Sequence, residues 1–498
     1  MSEHFISPDD ARSDLLSAAA YLAERIKSSD GHAEAMTAVI PLYLAAENVD
    51  LAAELANTVD DPYTRDRLLT LVAEKCAEMD DDEYALQLAD AVEDEGQRSQ
   101  AFERVGLQKA SKGQFEKAGE IAAQMAHPDA VYGGIAVRQA GIGDQVAAAE
   151  ALELVEYPGA AVAALEEMAA MKINSGNELD AEVLLDQAAI RAEDIEHSEE
   201  RIRALCSIGD LFIAAKQNGR AVETFEKARA AADALGNVHR DNFLGLASLG
   251  FLHAGSIDLA DRTLDLVSDK TQIAATLLGY AREYWKKDER SEAIEALEEA
   301  YAILKSQHER ETRSTPEKLK LFTSIAAQFA GFEKGERAIE IAQGIEDEQQ
   351  QMSALSQIAG ILTLRKEDEQ ARYALRAIAD DANRVFALIG MSDAKEKNGE
   401  RDAAVSLLDE AALIVETVPQ LPARTSAYVE IARRYANFGE EEKASQVSQA
   451  NLETVVSIRD ESAKTSALAS MAEFYVSAKR ELSEKEMSTL QTLLVQAR

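Results

Sequence analysis

Apolar and polar residues alternate along most of the chain with the period of an α-helix. The segment Leu205–Ala228, LCSIGDLFIAAKQNGRAVETFEKA, is typical, because apolar or small residues recur three or four positions apart on either side of a polar stretch that contains Gly219. Such spacing places one apolar stripe on each of two helices. The polar stretch between them predicts a turn. The segment therefore predicts a helical hairpin.

The same hairpin pattern recurs along the chain. An alanine, here termed the repeat alanine, takes the place of Ala221 twelve times, at intervals of 30 to 45 residues: Ala52, Ala85, Ala118, Ala148, Ala181, Ala221, Ala260, Ala293, Ala338, Ala371, Ala404 and Ala444. Twelve positions earlier stands a residue that is small in all but one unit, here termed the first-helix small residue: Ile40, Ala73, Gly106, Ala136, Ala169, Gly209, Ser248, Ala281, Ala326, Ala359, Ser392 and Ala432, with Ala472 beginning a thirteenth unit. Small residues at these places let the two helices of a hairpin approach closely, and neighbouring hairpins bury the remaining apolar faces.

The sixth unit carries the pattern most completely, in Leu205, Ile208, Gly209, Phe212, Ala221, Phe225 and Ala228. An apolar residue, an apolar–small pair and an aromatic in the first helix, followed by alanine, aromatic and alanine in the second, resemble the tetratricopeptide repeat (TPR). The resemblance covers about residues 33 to 480. It implies an all-α fold, an α-solenoid with a right-handed superhelix of about 13 hairpins. A HEAT-like or other helical solenoid remains an alternative.

The ends of the chain depart from the repeat pattern. We expect an N-terminal capping helix in residues 1–30, a continuous repeat array in residues 31–480 and a C-terminal capping helix in residues 481–498, because a solenoid needs polar caps at its ends. Seven of the eight prolines fall between the periodic segments. The eighth, Pro41, predicts a kink or break inside a helix. The most loop-like connector is QHERETRSTPEKLK, residues 307–320.

Composition narrows the possible functions. The chain has 498 residues, of which 46% are hydrophobic, so it is too apolar to be disordered and too long for one compact core. Its formal net charge is −38. Nucleic-acid binding depends on a basic surface, so we expect none. The acidity leaves two alternatives open: solvated helix faces, and attraction to a basic partner.

Cysteine usage and the absence of an apolar span bear on the cellular location. Cys76 and Cys206 lie far apart on apolar stretches, which predicts buried free thiols rather than a disulfide or a metal site. The opening residues MSEHFISPDD lack the features of a secretion signal, and no apolar run reaches the length of a membrane span. These features predict a cytoplasmic protein without membrane insertion.

The sequence contains no recognisable catalytic or cofactor motif. Phosphate-binding loops, dinucleotide-binding turns and helical metalloprotease motifs are absent, and no two of the seven histidines are three or four positions apart. The run Asp80–Glu83 lacks the central glycine of a calcium-binding loop and predicts a charged turn instead. We therefore expect no catalytic residue, no metal and no cofactor.

Binding is the function that the repeat favours. The TPR resemblance implies that first helices line a concave groove, with exposed positions about three before, one after and four after the first-helix small residue. In the seventh and eighth units, apolar, aromatic and arginine side chains come together near these positions, as they do in protein-binding hot spots. The predicted groove residues are Leu246, Leu249, Leu252, His253, Leu278, Arg282 and Trp285. The alternative is that Leu252 and Trp285 pack beneath the next hairpin.

The sequence thus predicts a non-catalytic scaffold or adaptor that binds a protein or peptide partner in the groove. Two alternatives belong to other classes of function. The chain could be a structural or self-assembling coat component, or the regulatory subunit of an enzyme carried on another chain.

Overall fold

The protein is all-α. The computed structural model describes residues 4–308 and 315–496, so the middle of the connector predicted at 307–320 lies outside the described residues. Within those ranges the chain forms 28 α-helices and no β-strand. The helices are α1 (Pro8–Ala11), α2 (Leu15–Ala23), α3 (Ser29–Ala45), α4 (Val49–Asn57), α5 (Pro62–Glu78), α6 (Asp82–Ala91), α7 (Glu95–Ser111), α8 (Phe115–Ala122), α9 (Asp129–Gly141), α10 (Gln145–Glu153), α11 (Pro158–Asn174), α12 (Glu178–Glu193), α13 (Ser198–Ala214), α14 (Asn218–Asp233), α15 (Arg240–His253), α16 (Ile257–Leu264), α17 (Lys270–Lys286), α18 (Arg290–His308), α19 (Pro316–Gly331), α20 (Gly335–Gln343), α21 (Glu348–Leu364), α22 (Asp368–Arg376), α23 (Asp381–Lys397), α24 (Arg401–Val415), α25 (Leu421–Asn437), α26 (Glu441–Ser457), α27 (Glu461–Ser477) and α28 (Glu484–Gln496).

From α3 onwards, odd-numbered helices are the first helices of the hairpins and even-numbered helices are the second helices. The helices belong to two compact units. One unit contains the residues up to Ala101 together with those from Ala326 onwards, and the other contains Phe102–Ile325. We refer to them as the terminal unit and the central unit.

The repeat alanines lie in the interior. All twelve are fully buried, and so is the small residue Gly209 of the sixth hairpin. A larger side chain at a repeat alanine would have to displace the helix that packs against it. The predicted register of the hairpins is therefore confirmed.

Every hairpin turn contains one residue in the left-handed region, five positions before the repeat alanine or, in the thirteenth hairpin, five before Glu484. Glycine supplies this residue in six hairpins, for example Gly399 with φ of 75°. Other residues adopt the same conformation in the remaining turns, including Asp80 of the predicted charged turn (φ 65°) and Lys216 of the sixth hairpin (φ 60°). Gly219, which the sequence suggested for that turn, instead lies in the first turn of α14. The backbone conformation of the turn is therefore the same in every hairpin, although the residue type that adopts it varies.

Phe225 shows why the sixth and seventh hairpins need glycine in their first helices. A Cβ placed on Gly209 of α13 would lie 2.6 Å from the Phe225 ring, and a Cβ on Gly250 of α15 would collide with the same ring. The ring also contacts Phe251 edge to face, with centroids 5.9 Å apart. One aromatic side chain of α14 therefore fills the space between two successive first helices.

An aspartate at the start of three first helices fixes the connection to the next hairpin. Asp66, Asp129 and Asp241 each accept two backbone N–H hydrogen bonds from residues 27 and 28 positions later. For Asp241 the donors are Ser268 and Asp269, at 2.8 and 2.6 Å. These bonds satisfy backbone groups in the connecting segment that no helix satisfies.

In the terminal unit, the first helices of the chain pack against the last hairpin. α2 has eight of its nine residues buried and contacts α3, α27 and α28. Where α3 meets α27, the hydroxyl of Ser462 donates a 2.6 Å hydrogen bond to Glu34. The start and the end of the repeat array therefore cover each other's apolar faces.

Two local predictions have different outcomes. Of the kink or break predicted at Pro41, the break does not occur, because α3 continues through the proline. The missing hydrogen bond and the ring clash of an internal proline are offset by tertiary packing, since α3 packs against α2, α4 and α27. The prediction of free, buried thiols at Cys76 and Cys206 is confirmed.

Candidate functional site

The seven predicted groove residues lie on two successive first helices of the central unit, α15 and α17. Leu246 is 43% exposed and Arg282 is also exposed. Leu249, His253 and Trp285 are half-buried. The other two, Leu252 and Leu278, are buried, at 1% and 6% exposure.

Packing between first helices explains which side chains are buried. A Cβ on Gly245 would lie 2.5 Å from Thr276 Oγ1 of α17, and a Cβ on Gly279 would lie 3.0 Å from Leu249 Cδ2 of α15. The position three before the first-helix small residue therefore faces the neighbouring first helix. The outermost positions in these helices are six and two before, and one and five after, that residue. We term the surface they form on α13, α15 and α17 the first-helix face.

His253 links three first helices at one end of this face. Its Nδ1 lies 3.6 Å from Asp210 Oδ1 of α13, and its Nε2 lies 3.7 Å from Glu283 Oε2 of α17. Glu283 is 13% exposed and also pairs with Lys287, whose Nζ lies 3.3 Å from Oε1 and donates to the carbonyl of Leu252. The polar network therefore spans α13, α15 and α17.

Trp285 lies beside this network and stacks on a cation. The guanidinium of Arg290 lies 3.7 Å from the centroid of the indole ring, within the range of a cation–π interaction. Arg290 is in turn held by Asp288, with Nε 2.6 Å from Oδ1. The indole is thus fixed in orientation while part of its surface stays accessible.

The first-helix face carries a different charge from the chain as a whole. At its outermost positions it presents the exposed cations Arg203, Arg282 and Lys286 and one exposed carboxylate, Asp210. Arg203 pairs with Glu199 at 3.5 Å, and Lys286 lies 3.8 Å from Glu283. The whole chain has a net charge of −38. Exposed cations beside an exposed leucine on an otherwise acidic protein therefore favour an anionic group beside an apolar one.

Sequence reasoning missed Arg203 and Lys286. Both stand at outermost positions, six before Gly209 and five after Ala281, where the exposed face of a first helix recurs. Two of the exposed positions lie one residue beyond the predicted ones, at two rather than three before the small residue and at five rather than four after it. The same shift explains why Leu246 is exposed whereas Gly245 is buried.

In 4–308 and 315–496, no group of three or more His, Cys, Asp or Glu side chains is placed to hold a metal ion. In the same ranges, no helix combines the length and apolarity that crossing a bilayer requires.

No family model and no curated protein matches the sequence. Among solved structures, Ton1535 from Thermococcus onnurineus NA1 is 18% identical, with 71% of this chain and 97% of that chain covered and a TM-score of 0.24. A putative kinesin light chain of nearly identical TPR-like repeats from Podosopora anserina is also 18% identical, covering 53% and 100%, with a TM-score of 0.24. The Naa15/Naa10 structure bound to HypK-THB is 14% identical, covering 98% and 84%, with a TM-score of 0.30.

The fold follows from the chain's own repeat geometry. The buried repeat alanines, the left-handed turn residues and the close approach of first and second helices recur through the hairpins. The described residues are all-α and form successive TPR-like helical hairpins.

Proposed function

We propose that the protein is a non-catalytic scaffold that binds a protein or peptide partner on the first-helix face of α13, α15 and α17. The observation that supports this most directly is the exposure of Leu246 between cations on both neighbouring first helices, Arg203 and Arg282. Burying an exposed aliphatic side chain against a partner contributes favourable free energy to binding. A neighbouring cation favours a partner that carries a negative charge there.

The partner segment that fits this surface has a large apolar side chain close to a carboxylate. The apolar side chain packs on Leu246 and the accessible part of Trp285. The carboxylate pairs with Arg282 or Lys286, both of which are exposed. Leu252 and Leu278 support the surface from beneath, because both are buried.

Affinity capture from the native source, with identification of bound proteins by mass spectrometry, tests the proposal. Wild-type protein is compared with Leu246→Asp, Arg282→Glu and Trp285→Ala. A matched control is Arg262→Glu, which makes the same charge change at an exposed position of α16, the second helix of the seventh hairpin.

Each captured protein is then purified and titrated directly. We expect the affinity to fall at least about tenfold in all three first-helix variants and to stay unchanged in Arg262→Glu. Equal binding by Leu246→Asp, Arg282→Glu and wild type would rule out this face as the binding site.

A further inference from the structure

A second apolar surface lies on the second helices of the fourth and fifth hairpins, α10 and α12, and on the turn that precedes α10, in the central unit. Five large aliphatic side chains there are between 57% and 73% exposed: Ile142, Val146, Leu179, Val183 and Ile190. We term them the α10–α12 patch. Isolated exposed aliphatic residues are ordinary, but a group of this size on one surface is typical of an interaction site.

Four of the five residues occupy matching faces of α10 and α12. Leu179, Val183 and Ile190 are separated by four and seven positions on α12, which puts them on one stripe about 16 Å long. Asp186 lies on the same stripe, where its carboxylate pairs with Arg220 of α14. Val146 stands two positions before repeat alanine Ala148, as Leu179 does before Ala181, so they occupy equivalent places on neighbouring second helices.

A common apolar cluster supports α10 and α12 beneath the patch. Leu152 of α10 and Leu184 of α12 both pack against this buried cluster, which includes Ala148, Ala164 and Met168. Because the supporting side chains are fixed, the outer aliphatic side chains form a preorganised surface rather than a mobile loop.

Charges on the two sides of the patch differ. On α12, ion pairs with α14 neutralise three carboxylates, namely Glu178 with Lys216, Asp186 with Arg220, and Glu193 with Lys227. On α10, Glu150 and Glu153 are exposed and pair with no Lys or Arg of the described ranges. The patch is therefore apolar with an unneutralised acidic margin on one side.

We propose that the α10–α12 patch binds an amphipathic helix of a partner protein that carries an aliphatic stripe flanked on one side by Lys or Arg. A helix of about three turns matches the 16 Å stripe. Its cations meet Glu150 and Glu153. A second copy of this chain fits less well, because its own acidic margin would face the same carboxylates. This surface is separate from the first-helix face.

The test uses the full chain and two synthetic 18-residue helical peptides with the same leucine stripe, one with lysine and one with glutamate on the polar face. Fluorescence anisotropy measures their affinities for wild type and for Leu179→Asn with Val183→Asn. The control for lost apolar surface is Leu413→Asn, which changes a 76%-exposed leucine of α24.

We expect the lysine peptide to bind wild type, and the glutamate peptide to bind at least about tenfold more weakly. The Leu179→Asn, Val183→Asn variant loses at least about tenfold in affinity for the lysine peptide, whereas Leu413→Asn and Trp285→Ala do not. Glu150→Lys with Glu153→Lys weakens binding and reduces its salt dependence, whereas Glu295→Lys with Glu299→Lys, a double reversal at exposed positions of α18, does not.

Three results would overturn the proposal. The first is the absence of lysine-peptide binding to wild type, and the second is equal binding by the double asparagine variant. The third is a wild-type dimer in sedimentation equilibrium that dissociates in the double asparagine variant, because a second copy would then occupy the patch. Circular dichroism of each variant checks that the helices remain folded.

Discussion

The hydroxyl of Ser462 donates a 2.6 Å hydrogen bond to the carboxylate of Glu34, a residue 428 positions earlier in the chain. The bond lies where α3 meets α27, beside the buried helix α2. Terminal repeats of a solenoid expose the apolar faces that inner repeats bury. Here the first and last helices of the array supply each other's missing neighbour, and each stabilises the other.

This contact predicts a cross-link between the two ends. A Cβ on Gly31 would lie 3.8 Å from Ser462 Cβ, within the range for a disulfide. In a chain with both native cysteines replaced by alanine, Gly31→Cys with Ser462→Cys should oxidise within one molecule. Non-reducing electrophoresis and peptide mapping detect it. Gly31→Cys with Ser477→Cys, at the far end of α27, should not cross-link. Dimers as the only product from the first pair would contradict the contact.

The buried repeat alanines predict a position-dependent cost of added volume. Ala221→Leu should lower the free energy of unfolding by about 1–3 kcal/mol, because the side chain must displace the paired first helix. Ala230→Leu makes the same change at an exposed position of the same helix and should stay within about 0.5 kcal/mol of wild type. Urea unfolding followed by circular dichroism measures both. Equal costs at the two sites would mean that the hairpin register is wrong.

The left-handed turn residues predict that substitutions to and from glycine change the free energy of unfolding in opposite directions. Glu47 has φ of 59°, and glycine adopts this conformation without the steric penalty of a side chain. Glu47→Gly should therefore raise the free energy of unfolding by up to about 1 kcal/mol. Gly399→Ala, at φ of 75°, should lower it by about 1 kcal/mol. Thermal unfolding shows the shifts, and a loss of stability in Glu47→Gly would contradict the turn geometry.

The hairpin register could be predicted from the sequence because it depends on local sterics. Only a small residue fits at Ala221, and its spacing repeats. The sequence left the burial of Leu252 as one of two alternatives and gave no indication that Leu278 is buried, because both depend on how closely neighbouring first helices pack. The α10–α12 patch could not be predicted either, because sequence patterns assign apolar residues to the buried face of a helix, whereas these aliphatic side chains are exposed. Nothing in the sequence around Glu34 or Ser462 indicates their contact, since neither residue type specifies a distant partner.

Asp241 predicts a pH-dependent contribution to stability. Partial burial by itself would raise the pKa of Asp241, but hydrogen bonds from the Asp269 and Ser268 amides and from Arg240 outweigh it and hold the pKa below the ordinary 3.8. A lowered pKa stabilises the folded state above pH 3.8, and this contribution disappears as the pH falls through the folded-state pKa.

Asp241→Asn should therefore lower the free energy of unfolding by about 1–3 kcal/mol at pH 7. The difference from wild type should narrow below about pH 4. Urea titrations across this range measure it, with Glu226→Gln, at an exposed carboxylate of α14, as the control. A difference that stays constant from pH 7 to pH 3 would exclude a role for the charge.

The two thiols should be unreactive in the folded protein. Burial raises the pKa of Cys76 to about 11 and that of Cys206 to about 12. The thiolate is the reactive form, and both side chains are shielded, so alkylation by iodoacetamide at pH 8 should be at least about a hundredfold slower than in urea-unfolded protein. Mass spectrometry over time follows the reaction. Rapid labelling of either cysteine under native conditions would contradict its burial.

The packing of α2 against α27 also sets the order in which the chain can finish folding during synthesis. α2 leaves the ribosome more than 400 residues before α27 does. At translation rates of about 5–20 residues per second, its apolar surface waits tens of seconds for its partner. The inner hairpins can form as they emerge, since their contacts are local, but the terminal unit is completed only after translation of the last hairpin. Newly made protein thus carries a temporary apolar site for chaperones at its first helices.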